Sequence, residues 1–170
     1  PHKTTLIAAA PIVFPASTIL SGLVDFIFPF FLLIIFLVYY QIAPNWNILF
    51  FPIIFSLFVL LYCSVQLFMS VMAVRFKDIG VMVPILAQLL FFGTPIFYPL
   101  SAIPEQYTAL FAVNPMVGIV ELFRWSILGL QDLPHQNVLF VSCTSILIFF
   151  ITSIIVFQRM CRKIFNYLGN

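Results

Sequence analysis

Apolar positions in this chain do not alternate with polar ones; they run together over stretches longer than any soluble core element needs. Four such runs stand out: residues 17–40, STILSGLVDFIFPFFLLIIFLVYY; 49–74, LFFPIIFSLFVLLYCSVQLFMSVMAV; 79–97, IGVMVPILAQLLFFGTPIF; and 137–158, NVLFVSCTSILIFFITSIIVFQ. Each matches the ~20 residues that carry a helix across a bilayer. The pattern predicts an all-α polytopic membrane protein with four transmembrane helices. Residues 1–16 are less uniform, with Lys3 and three prolines counting Pro1, and read as a loop or short interfacial helix. Pro29 should kink the first span, and residues 41–48 form a short turn with Trp46 at the interface.

The run from Gly93 to Gly129 breaks this pattern. It is apolar, yet Pro95, Pro99, Pro104 and Pro115 interrupt it, and it carries Glu105, Glu121 and Arg124. Irregular backbone at membrane depth is tolerated only where protein or a watery path covers it. Asn114-Pro115 is a helix start, because Asn caps free N–H groups and Pro suits the first helical position. Gly129 is a natural stop. A helix over 115–128 would rise ~21 Å, short of the ~30 Å hydrocarbon core. A second short helix is expected between Pro99 and Val113. Together they predict a re-entrant helical hairpin on the outer side, before the last span.

Composition removes the soluble alternatives. Of the 170 residues 64% are hydrophobic and 7% charged, against about 25% charged in a soluble domain. The net charge of +2 and the lack of a basic polar surface argue against nucleic-acid binding. The chain begins at Pro1 with no signal-peptide pattern and is read as the C-terminal part of a single transmembrane domain covering 1–170.

Charge sets the orientation. With the start inside, Lys3, Arg75, Lys77, Arg159, Arg162 and Lys163 are cytoplasmic and Arg124 alone is outside, a six-to-one positive-inside bias. Both ends are then cytoplasmic, and Glu105, Glu121 and Asp132 are outside.

Several residues could carry chemistry. Glu121 and Arg124 are i, i+3 neighbours on the short helix, and serve either as a structural pair or at a translocation path. Arg75, Lys77 and Asp78 occupy the tight inner turn, for topology or for contact with a cytoplasmic partner. Asp25 lies a third of the way into the first span, where a lone carboxylate costs ~2.5 kcal/mol. A satisfied interhelical bond, a water-facing position and a proton relay are its three readings. Gln66 and Gln88 could join helices by hydrogen bonds. Phe97, Tyr98, Tyr107, Phe111, Phe123 and Trp125 crowd the broken segment, for interface packing or to line a path that stacks on sugar faces. Cys63, Cys143 and Cys161 fit neither a zinc site nor a disulfide framework. His2 and His135 have no ligand spacing. No G-x-x-x-x-G-K-[ST] run is present, and no catalytic grouping stands out.

VRFKDIGVMVPILAQLLFFGTPIFYPLSAIPEQY, followed by NPMVGIVELFRWSILG, closely resembles the membrane subunit of type-2 ABC exporters. The nearest branch is that of permeases for lipid-linked polysaccharides such as O-antigen, capsule and teichoic acid. The likeness covers nearly all of 17–158. It is strongest at Arg75–Asp78, Thr94–Pro99, Asn114-Pro115-Met116 and Phe123-Arg124-Trp125, and weaker over the first sixteen residues. It implies a non-enzymatic transport subunit of the bacterial inner or plasma membrane, pairing with a second copy and with a separate ABC ATPase that holds ATP and Mg. It implies a gate or substrate path at Pro95, Phe97, Tyr98, Asn114, Glu121, Arg124 and Trp125. An ATPase-side contact is implied at Lys3, Arg75, Lys77 and Asp78, and no cofactor on this chain. It also implies two further spans and an amphipathic helix ahead of Pro1. A drug or small-lipid ABC exporter is the alternative, and an ion-coupled carrier or membrane-embedded enzyme a third.

Overall fold

The computed structural model describes residues 2–43, 45–129 and 134–168, with side chains placed for 16–43, 45–104, 106–129 and 134–163. Six α-helices follow in order: α1 His2–Tyr39, α2 Phe51–Arg75, α3 Ile79–Phe92, α4 Glu105–Ala112, α5 Pro115–Leu128 and α6 Gln136–Leu168. Short 3₁₀ turns precede α2 (Trp46–Phe50) and α4 (Leu100–Ala102). Among the described residues no strand occurs, as expected of a chain that must satisfy its backbone within each spanning segment.

Three segments are long and apolar enough to cross a membrane: Ala16–Tyr39, Trp46–Arg75 and Gln136–Lys163. They correspond to the first, second and last expected spans. Two boundaries differ. The opening residues are helical from His2 onward rather than a loop, so that Pro11, Pro15 and Pro29 all lie inside α1. Each proline removes one donor, but the intervening leucines, isoleucines and alanines supply enough helix to bridge them. The third run stops at Phe92 instead of residue 97, and its 14 residues rise about 21 Å. Gly93 caps it, and the Thr94 hydroxyl donates to the Leu90 carbonyl at 2.7 Å, ending the helix before Pro95.

The broken segment forms the two expected short helices. Gln106–Ala112 and Pro115–Leu128 meet at 101°. The Asn114 side chain caps α5 by accepting from the Met116 N–H at 3.0 Å. Gly129 ends it in the left-handed region at φ 65°, where its lack of Cβ removes the usual penalty.

The core lies where α2, α5 and α6 converge. Leu61, Ile119 and Ile146 are buried together, with Phe58, Met116, Phe123 and Phe149 against them. A second cluster joins Leu100, Ala112, Val117 and Val138, and seats the α4–α5 corner on the start of α6. Small residues permit close approach, as membrane helices require. Ser64, Ser142 and Ser153 are fully buried. Gly118 packs on Ser142 so tightly that a Cβ there would lie 2.4 Å from the Ser142 Cβ. The Ser142 hydroxyl donates to the Ala112 carbonyl at 3.0 Å, tying the corner to α6. By contrast, α3 has no buried residue.

Candidate functional site

The site is built around the loop 93–99, which hangs from the end of α3 and is fastened at both ends of α5. At the N-terminal end, Asn114 uses its amide twice. Its Oδ1 caps α5, and its Nδ2 donates to the Thr94 hydroxyl at 2.9 Å. Thr94 and Pro95 are buried beside it.

At the other end, Arg124 reaches back to the same loop. Its Nη1 donates to Glu121 Oε1 at 2.9 Å and to the Tyr98 carbonyl at 3.2 Å, and its Nη2 donates to the Ile96 carbonyl. Glu121 and Arg124 retain side-chain exposures of 13% and 23%. The carboxylate neutralises the guanidinium, and the guanidinium satisfies two loop carbonyls that have no secondary-structure partner, so the pair positions the loop. The i, i+3 spacing was readable in the sequence; the two carbonyls 26 and 28 residues away were not.

Phe97 and Tyr98 then differ in placement. Phe97 is 75% exposed and meets Phe91 edge-on, with centroids 5.3 Å apart. Tyr98 is half-buried and fixed through its carbonyl. Trp125 is 8% exposed and packs against Phe50 at 5.4 Å. Its ring therefore fills the join between α5 and the 3₁₀ turn. Asn47 completes that join: its Nδ2 donates to the Trp125 carbonyl at 3.4 Å, and its own carbonyl accepts from Ser126 at 3.2 Å. Sequence reasoning missed Asn47, whose only visible signal is its place beside Trp46.

A cavity of about 400 Å³ lies between α1 and α5, bounded by Phe26, Phe30, Ile96, Phe123 and Arg124. Another, of about 520 Å³, lies under the α4–α5 corner among Leu61, Leu90, Met116 and Phe149. Polar groups at its wall are already engaged. Ser145 and Thr152 donate to the carbonyls one turn back in α6, and Tyr62 donates to the Thr18 carbonyl.

The turn expected to face a partner stands apart from this site. Arg75, Lys77 and Asp78 are exposed, and Arg75 lies over the Phe76 ring at 5.6 Å. None of the three forms an ion pair among the described residues. Lys3 lies in the helical backbone of α1, but its side chain, like that of Glu105, is outside the described residues, and so is the whole of Asp132. Among the described residues no group of three His, Cys, Asp or Glu is placed to hold a metal ion.

A bundle of apolar helices with a bent, doubly fastened pair beside them is the architecture of a multi-pass membrane protein. Residues 3–128 match the ABC-2 type transporter family, and the chain belongs to that family. It is similar to the O-antigen export system permease protein of Myxococcus xanthus, 27% identical over 114 residues, which cover 66% of this chain and 44% of the relative. It is also similar to a polysialic acid transport protein of Escherichia coli, 34% identical over 90 residues, covering 53% of this chain and 34% of the relative. A second Escherichia coli protein of that name is 33% identical over 90 residues, with the same coverage. The matched segments thus span less than half the length of each relative.

Proposed function

We propose that this chain is part of the permease subunit of an ATP-driven exporter that moves a lipid-linked polysaccharide outward across the bacterial inner or plasma membrane. The observation that carries this reading is the family match over residues 3–128, together with relatives named for O-antigen export and polysialic acid transport. ATP would be bound and hydrolysed by a separate ABC subunit, docked at the face carrying Arg75, Lys77 and Asp78, with Lys3 nearby. Two copies of the permease would enclose the path. The α4–α5 pair would be a re-entrant gate at the outer mouth. Asn114, Glu121 and Arg124 would hold the loop with Pro95 and Tyr98 in place, and Phe97 would offer a ring to passing sugar. Trp125 would anchor the gate helix instead of touching substrate.

The test is a chromosomal deletion complemented by the full-length gene, with surface glycan and cytoplasmic lipid-linked glycan measured together. Loss of surface glycan with accumulation inside, reversed on complementation and dependent on a co-purifying ATPase, is the expected result. Unchanged surface glycan with a new drug sensitivity would replace this reading with that of a drug exporter. Transport that continues without ATP but stops with a proton uncoupler would replace it with a carrier.

A further inference from the structure

The two ends of α5 are held in different ways. At the C-terminal end, the 3₁₀ turn that leads into α2 closes on the helix from several directions. The Ser126 hydroxyl donates to the Asn47 carbonyl at 3.2 Å, and Asn47 Nδ2 returns a bond to the Trp125 carbonyl at 3.4 Å. Trp125, Ser126 and Ile127 are buried there, with Phe50 against the indole. Gly129 comes so near Asn45 that a Cβ on it would lie 3.1 Å from the Asn45 Cβ. One turn back, Phe123 meets Phe51 edge-on at 5.5 Å, and Phe51 lies 5.5 Å from Phe30 of α1. Directional hydrogen bonds, ring contacts and a close backbone approach thus fix this end of α5 to the α1–α2 hairpin.

The N-terminal end is attached in another manner. Val117 packs with Leu100, Ala112 and Val138, and Gly118 lies on Ser142. Apolar contacts are non-directional, so such surfaces can slide without breaking a hydrogen bond. Ser142 bonds the Ala112 carbonyl, which belongs to the corner and not to α5 itself. Asn114 bonds Thr94, which leads to the 93–99 loop and to α3, and α3 has no buried residue to resist movement.

We propose that the turn 45–51 is the fixed pivot of the gate helix. Helix α5 turns about its Trp125–Gly129 end, the α4–α5 corner is the end that travels, and Asn47 and Ser126 are positioning residues for that motion. The inference rests on the export reading above and adds to it which end of the gate moves and what holds the other. The helix runs from Pro115 to Leu128, a radius of ~20 Å, so a tilt of about 10° carries the corner ~3 Å. Apolar contacts at the corner tolerate a shift of that size, whereas the bonds at Asn47 do not.

The two serines make a matched test, because each donates to a backbone carbonyl, at 3.2 Å for Ser126 and 3.0 Å for Ser142. The full-length protein is used in its native membrane with its ATPase, and with Cys63, Cys143 and Cys161 replaced by Ala. One form combines Asn47→Cys with Ser126→Cys, the other Ala112→Cys with Ser142→Cys, and a short bifunctional thiol reagent joins each pair. Joining 47 to 126 should preserve or raise surface glycan, and joining 112 to 142 should abolish it. Alanine variants repeat the comparison without added cysteines. Ser126→Ala should lower surface glycan roughly threefold at normal protein levels, the scale of one neutral hydrogen bond, and Ser142→Ala should not lower it. A purely structural role for both hydroxyls predicts equal losses. Loss of export on joining 47 to 126, full export with 112 joined to 142, or equal losses in the two alanine variants would overturn the proposal. Failure of the unsubstituted protein to export any glycan would instead overturn the parent reading.

Discussion

Arg124 serves three acceptors at once. Arg124→Ala strands the Glu121 carboxylate and the carbonyls of Ile96 and Tyr98 together. The expected loss is about 3 kcal/mol, at the low end for a broken buried pair because both side chains keep some exposure. Thermal unfolding in detergent measures it. Arg124→Lys keeps the charge but not the planar fork, so it should recover only part of the loss. Asn114 permits a finer dissection. Asn114→Ala should cost about 1 kcal/mol for the lost cap, plus the Thr94 bond. Asn114→Asp keeps the capping acceptor and loses the donor to Thr94. Comparing protease cleavage within 93–99 for the two variants separates the cap from the tether, and equal cleavage in both would assign the whole effect to the tether.

At the scale of elements, α5 and α6 approach closely at Gly118 and Ser142. Gly118→Ala would place a Cβ against Ser142 and force the two helices apart, at about 1–3 kcal/mol. Ser142→Gly removes the obstructing atoms but also the hydroxyl bonded to the Ala112 carbonyl. The double variant should therefore be more stable than Gly118→Ala alone, by an amount thermal melts can resolve; additive losses would mean that the strain lies elsewhere. This scale also marks what could be read from the chain. Helix α5 was legible to the residue, because Asn114, Pro115 and Gly129 each act through local backbone chemistry. The early end of α3 and the continuation of α1 back to His2 were not. Prolines have different outcomes along the chain: Pro29 and Pro84 lie inside helices, whereas α3 ends ahead of Pro95. The packing of Trp125 was not legible for the same reason. Its direction is set by Phe50, 75 positions away, and no local pattern encodes that meeting.

For the whole molecule, charge predicts the side of the membrane on which each turn lies. The basic residues cluster at Arg75–Lys77 and Arg159–Lys163, and the turn through Asn45 and Trp46 has none. Lys77→Cys should react with an impermeant thiol reagent only from the cytosolic side, and Trp46→Cys, 83% exposed at the opposite end of the same span, only from outside. Reaction of both from one side would overturn the orientation and the outer gate together. The same arrangement explains why surface-oriented reasoning does not apply to this chain. Most of the described large apolar side chains on α1 and α3 are exposed, which is a fault in water and the normal condition in lipid.

The two fastenings of the 93–99 loop also have a mechanical consequence. Helix α3 is held to its neighbours by shallow contacts alone, whereas the loop at its tip is lashed to the head and the foot of α5. A push along α3 from the Arg75 turn would meet little resistance until it reached Thr94, and from there it would move α5 as one piece. The adjustable point in such a linkage is the Ser142–Ala112 tie, the hydroxyl bond that joins the corner to α6 beside the Leu100, Ala112, Val117 and Val138 cluster. Weakening that tie should let the corner swing under a smaller push, so a lever built to respond from far below would be adjusted at a point it never touches.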